Sequence, residues 1–145
     1  MKCENQMTLE FPSKSINESF ARAAVACFAA QLDPTLDELG DIKTAVSEAV
    51  TNSIVHGYPD TIGTITLRCR ILAGNVLDIV IKDKGRGIEN VEEARQPMFT
   101  TGGADRSGMG FTIMESFTDK LRVRSSPGRG TTVTMVRAIQ ARRDA

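Results

Sequence analysis

Residues 77–87 constrain this chain more than any other stretch. Leu77, Ile79 and Ile81 alternate with Asp78, Val80 and Lys82, the two-residue period of a strand with one buried face. Asp83 keeps the phase of the apolar residues, so the pattern aims a carboxylate inward at the strand's end. Burying an unpaired charge is expensive, and a fold that accepts this strand must give Asp83 donors. Gly85 and Gly87 follow, letting the backbone turn sharply and leaving room for something to approach it. The plainer reading, an Asp-x-Gly turn closing a strand, uses the same residues. Further on, Arg106-Ser107-Gly108-Met109-Gly110 precedes an apolar, helix-like run, and glycines before a helix leave N–H groups that suit a phosphate. The two stretches predict two walls of a nucleotide pocket. Residues 88–107, with Pro97, Thr100-Thr101 and Gly102-Gly103, form the expected lid, with a short helix around Val91 to Arg95.

A length of 145 residues suits one domain, 1–145, with a genuine core and a short frayed polar tail from about 139. With 41% apolar and 25% charged residues the composition is that of an ordinary soluble globular protein. The formal net charge is +0, and no basic tract interleaved with aromatics appears, which argues against direct nucleic-acid binding. Cys3, Cys27 and Cys69 lack metal-ligand spacing, and Cys27 and Cys69 fall on apolar faces, as reduced packing cysteines do. The start, Met1-Lys2-Cys3-Glu4-Asn5, has no signal-peptide core, and no run reaches membrane-spanning length. The expected location is the cytoplasm.

Met7 to Phe11 alternates as a short strand ended by Pro12. Ser15-Ile16-Asn17-Glu18 has capping-box spacing and predicts a helix to about Gln31, with Phe20, Ala24, Cys27, Phe28 and Gln31 as its inner stripe. Thr35-Leu36-Asp37-Glu38 repeats that spacing and predicts a second helix through about His56, stopped by Gly57 and Pro59. Thr64 to Leu72 and Val76 to Asp83 read as a hairpin turning at Ala73-Gly74-Asn75. Phe111 to Phe117 reads as a helix, and Leu121 to Ser125 with Thr131 to Ala138 as a second hairpin. The order predicts an α+β two-layer sandwich, a mostly antiparallel sheet with helices on one face.

Several polar residues in this frame suit phosphoryl transfer. Glu48 and Asn52 lie four apart, hence on one helix face. Asn supplies Mg²⁺ with a hard oxygen and no added charge, and Glu one turn away can serve as a base. The alternative is that both are polar positions at the helix's wet edge. His56, the single histidine, reads as a helix-end packing or capping residue. Asp83 can accept from the exocyclic amine of adenine, a donor that guanine lacks at that place. Arg106 can reach terminal phosphate oxygens, or be a solvated loop residue. Gly130-Thr131-Thr132 is a tight strand start. The outer face of the first helix, with Arg22 among Glu18, Val25, Ala26 and Ala29, offers a docking surface or simply good helix propensity.

The Walker-type phosphate loop, a complete dinucleotide fingerprint and the protein-kinase signature set are all absent from the sequence. The order Glu48-x3-Asn52, Asp83-x-Gly85-x-Gly87, Gly108-x-Gly110 and Gly130-Thr131-Thr132 resembles the four boxes of the GHKL ATPase/kinase superfamily. That resemblance covers nearly the whole chain. It implies a GHKL-type ATP-binding sandwich of left-handed βαβ type that takes Mg²⁺-ATP under a lid. Asn52 would hold Mg²⁺, Asp83 would read adenine, and Thr131 or Thr132 would help hold the adenine side. Gly85, Gly87, Gly108 and Gly110 would shape the pocket, with Thr100, Thr101, Ser107 and Met109 lining it from the lid.

A narrower likeness rests on Asn17-Glu18-Ser19-Phe20-Ala21-Arg22, Ser47-Glu48-Ala49-Val50-Thr51-Asn52, Glu93-Ala94-Arg95-Gln96-Pro97 and the run from Arg106 to Glu115. These resemble the sporulation anti-sigma F factors. The resemblance implies a dimer that binds and inhibits an RNA polymerase sigma factor and phosphorylates a serine on an anti-anti-sigma protein with Mg²⁺-ATP. Glu48 and Arg106 would be catalytic and Arg22 would contact partners. Gly102-Gly103 departs from the family, where Lys-Pro is expected. The alternative is a nucleotide-gated sigma-binding protein with weak or no kinase activity.

Overall fold

The computed structural model describes residues 1–96 and 110–140. Its elements run β1 (Cys3–Pro12), α1 (Ile16–Ala29), α2 (Leu36–Asn52), β2 (Thr64–Leu72), β3 (Val76–Asp83), α3 (Val91–Ala94), α4 (Gly110–Ser116), β4 (Lys120–Ser126) and β5 (Gly130–Ala138). The five strands form one sheet in the order β1-β2-β3-β5-β4, and every ladder is antiparallel. β5 therefore lies between β3 and β4. The α+β architecture is the one the sequence pattern predicts. At the β2–β3 hairpin, Gly74 and Asn75 both take positive φ, 87° and 61°, as the tight turn demands.

Register explains how the sheet carries both a core and a site. Met7, Cys69, Ile79, Met135 and Leu121 face one another across the five strands, as do Leu9, Leu67, Ile81, Val133 and Val123. These two rows are the apolar floor, closed over by α1, α2 and α4. Leu67, Ile79 and Ile81 are almost completely buried, each contributing about 1.5–3 kcal/mol by leaving water. The next row toward one end reads Phe11, Ile65, Asp83, Thr131 and Ser125. The same inward face thus turns from apolar to polar in one step along the strands.

α2 is the central helix of the second layer. Its start is a capping box: Thr35 Oγ1 accepts from the Glu38 N–H at 3.0 Å, and Glu38 Oε1 accepts from the Thr35 N–H at 2.9 Å. Ile42, Ala45, Val46, Ala49, Val50, Ser53 and Gly57 are its buried positions, spaced three and four apart. Leu36, the first residue of the helix, is 87% exposed.

α1 departs from expectation in two ways. Ser15 has helical backbone angles and makes no side-chain cap bond, so its capping box does not form. Glu18 turns toward α2, where it accepts from Thr51 Oγ1 at 2.8 Å and pairs with Arg22 at 3.6 Å. The inner stripe is also displaced by one residue. Ala21, Val25 and Ala29 are fully buried, Phe20 is 52% exposed, and Cys27 and Gln31 lie at the surface. Small side chains let α1 lie close against α2, and bulkier ones at those positions would hold the helices apart. Cys69 is a core residue as expected, its thiol pushed up to about 12 by burial and, less, by the Asp78 charge.

The chain remains anchored beyond β5. Ile139 is buried and its N–H donates to the Asn75 carbonyl at 2.8 Å, while the Gln140 N–H donates to Glu38 Oε2 at 3.0 Å. Glu38 joins the start of α2 to the chain's last described residue, and the Thr35 N–H leads in holding its carboxyl below the usual range.

Candidate nucleotide site

Asp83, at the end of β3, is 1% exposed. Its Oδ1 accepts from the Gly85 N–H at 2.9 Å, whereas Oδ2 is buried with no hydrogen-bond partner among the described residues. Burial pushes the Asp83 pKa up, and the Gly85 N–H leads the weaker opposing effects of Ser53 and Thr131. A buried carboxylate oxygen without a donor is costly in an empty fold, and such groups cluster where a ligand supplies the missing partner.

Glycines bring the backbone close around this carboxyl. After Asn52 the helix widens into a single π turn, in which the Tyr58 N–H reaches the Ser53 carbonyl at 3.1 Å. This turn brings Gly57 beneath Asp83, where a Cβ would lie 3.0 Å from the carboxylate. A Cβ on Gly85 would strike the Gly57 carbonyl oxygen, which accepts from the Arg86 N–H at 2.9 Å. The two backbones therefore touch, and only glycine fits. Gly87 has φ +77°, and a side chain there would collide with the Ser126 carbonyl. Gly57 is read from sequence only as a helix stop; its part in the site follows from this contact.

Tyr58 and Ser125 also escape sequence reading. The Tyr58 hydroxyl donates to the Thr64 carbonyl at 2.8 Å and accepts from the Lys84 N–H at 2.7 Å, pinning the exit of β3 to the start of β2. Ser125 Oγ accepts from the Ile88 N–H at 2.7 Å and lies 2.8 Å from Thr131 Oγ1. Thr131, 4% exposed, shares the row of Asp83. Thr132 does not: it pairs with Lys82 and Arg124, whose side chains alternate to the sheet's other face.

Glu48 and Asn52 are half-buried, one turn apart on α2. A Cβ on Gly110 would lie 3.4 Å from Glu48 Oε2, so the start of α4 stands against this carboxylate. The fold thus brings Glu48 and Gly110 together, although 62 positions (110 − 48) separate them in sequence. The His56 carbonyl accepts from Arg86 Nε at 3.1 Å, which ties the π turn to the Gly85–Gly87 loop. Thr100, Thr101, Arg106, Ser107, Gly108 and Met109 lie outside the described residues.

Arg22 stands at the junction of α1 and α2, not on an isolated outer face. Its guanidinium donates to Ser47 Oγ at 3.1 Å and to Ser19 Oγ at 3.3 Å, and its side chain is 36% exposed. Val25 and Ala29, expected beside it at the surface, are in the core.

Residues 11–137 match the model of the histidine kinase-like ATPase domain family. An anti-sigma F factor from Caldanaerobacter subterraneus subsp. tengcongensis is 58% identical over 140 residues, spanning 96% of this chain and 97% of the relative. One from Clostridium acetobutylicum is 53% identical over 133 residues, or 91% and 92% of the two chains. The chain belongs to the anti-sigma F factor family. Solved structures agree on the fold. The RsbU and RsbW domains of a Mycobacterium tuberculosis protein align with a TM-score of 0.69 at 18% identity, over 93% of this chain and 32% of that one. The mycobacterial sensor histidine kinase MprB aligns at 0.58 and 15% identity, over 95% of this chain and 100% of that one. Among the described residues no helix is long and apolar enough to cross a membrane.

Proposed function

We propose that this family member is an anti-sigma factor that binds and inhibits a sporulation sigma factor and phosphorylates a serine on an anti-anti-sigma protein, using Mg²⁺-ATP. The observation that carries the nucleotide half is the buried, unpartnered Oδ2 of Asp83, packed against Gly57 and beside Gly85, where a side chain would strike the Gly57 carbonyl. An adenine amine supplies the missing donor. The names of the relatives support the sigma-factor half.

Bound Mg²⁺-ATP would bring a transferable phosphoryl group and a charge-neutralising cation. Asn52 offers that cation one neutral hard oxygen at the end of α2. Glu48, beside the start of α4, takes the proton of the incoming serine hydroxyl. Gly85, Gly87, Gly110 and Thr131 shape the pocket. Thr100, Thr101, Arg106, Ser107, Gly108 and Met109 contact or cover the phosphates, with Arg106 on the transferred group. Arg22, held at the junction of the two long helices, contacts protein partners, and the protein works as a homodimer in the cytoplasm.

Incubation with labelled ATP and a candidate anti-anti-sigma protein tests the reading. Label on a partner serine that requires Mg²⁺ supports it. ATP binding and sigma-factor capture without transfer would favour the nucleotide-gated binder, and no ATP binding would overturn the site.

A further inference from the structure

Three contacts of one hydroxyl determine the hydrogen-bond polarity of the pocket wall. Ser125 Oγ accepts from the Ile88 N–H at 2.7 Å, donates to the Gly130 carbonyl at 2.9 Å, and lies 2.8 Å from Thr131 Oγ1. A serine hydroxyl has one hydrogen and two lone pairs. The Gly130 carbonyl can only accept, so it takes the single Ser125 hydrogen. The Ile88 N–H occupies one lone pair. The remaining contact then has one solution: Thr131 donates its hydrogen to Ser125.

We infer that Ser125 is a specificity-positioning residue, which fixes Thr131 as an acceptor on the wall it shares with Asp83. With its hydrogen committed, Thr131 Oγ1 presents only lone pairs. In its carboxylate form Asp83 Oδ2 also only accepts. The row Asp83–Thr131–Ser125 therefore offers acceptors and no side-chain hydroxyl donor. Such a wall favours a ligand edge bearing an N–H₂ group and disfavours one bearing a carbonyl, because two facing acceptors are left unpaired. The same serine ties Ile88, the residue after Gly87, to β4, so loop position and wall polarity depend on one side chain.

This inference rests on the proposed adenine site and sharpens its selectivity. The test is calorimetric titration of wild type and three variants with ATP and with purine riboside triphosphate, which lacks the amine and keeps ring N1 as an acceptor. In Ser125→Ala, Thr131 regains a hydrogen to donate. The preference for ATP over purine riboside triphosphate is expected to fall at least fivefold, while Ser125→Thr, which keeps the hydroxyl, restores it. A purely structural role would weaken both nucleotides alike and leave their ratio unchanged, which would overturn the inference. Asp83→Asn separates the two levels. If Asp83→Asn collapses the preference and Ser125→Ala does not, the Ser125 role is wrong and the site stands. If Asp83→Asn leaves both affinities unchanged, the site itself is wrong. Thermal melts of each variant without nucleotide establish that it is folded.

Discussion

At the scale of single residues, Asp83 sets stability against function. Its phase with Leu77, Ile79 and Ile81 is legible from sequence, and the structure buries it as that phase requires. Its companions were not legible. Gly57, Tyr58 and Ser125 meet Asp83, Lys84 and Thr131 through contacts that only the folded sheet and the π turn create, and no local pattern marks them. Thr131 and Thr132 are adjacent and identical, so only the observed register separates them. The raised pKa of Asp83 has a thermodynamic consequence. The folded state holds the Asp83 proton more tightly than the unfolded chain, so this residue's contribution to stability declines as pH rises above the ordinary value of 3.8. Asp83→Asn removes that decline. The variant without nucleotide is expected to melt above wild type at pH 7, with the gap shrinking as pH falls toward 4. Melts across that range check the sign; a gap that widens on acidification would contradict it.

At the scale of elements, α2 links packing to chemistry. One face carries Ile42, Val46, Ala49 and Val50 into the core, while Glu48 and Asn52 stay half-buried at its end. The capping box at Thr35 and the two hairpins were readable because caps, alternation and turn glycines are local signals, whereas the pairings of β1 with β2 and of β3 with β5 carry no local mark. α1 was misread because an Ala-rich helix has two faces of similar polarity. Size decides between them: small Ala21, Val25 and Ala29 go inward, and Phe20 is left largely exposed. The Ser15 cap failed since Glu18 finds a better partner in Thr51, a contact 33 residues away. With the base role assigned to Glu48 and the metal role to Asn52, Glu48→Gln should bind ATP nearly normally and transfer phosphate roughly 10²–10⁴-fold more slowly. Asn52→Ala should lose both. Equal ATP affinity of the Asn52 variant across a magnesium titration would remove the metal role.

At the scale of the whole molecule, the sheet divides its inward face between a core and a polar end, and the long helices present Arg22 beside Ser47, the neighbour of Glu48. A partner seated on Arg22 would therefore stand next to the helix that carries the proposed base. An Arg held by two hydroxyls and one carboxylate is preorganised, which lowers the entropy lost on docking. Arg22→Glu should weaken sigma-factor or anti-anti-sigma binding more than tenfold, with ATP affinity unchanged and the melting temperature within a few degrees of wild type. Pull-downs with both partners check this, and full retention of both would exclude the surface. The proposed adenine site lies at the end of β3. Isothermal titration of wild type and Asp83→Asn with ATP tests it most directly. Losing one partner of a desolvated, charged hydrogen bond costs roughly 2–5 kcal/mol, so affinity should fall well over tenfold. An ATP affinity within a factor of two of wild type, in a variant that is folded, would contradict the assignment.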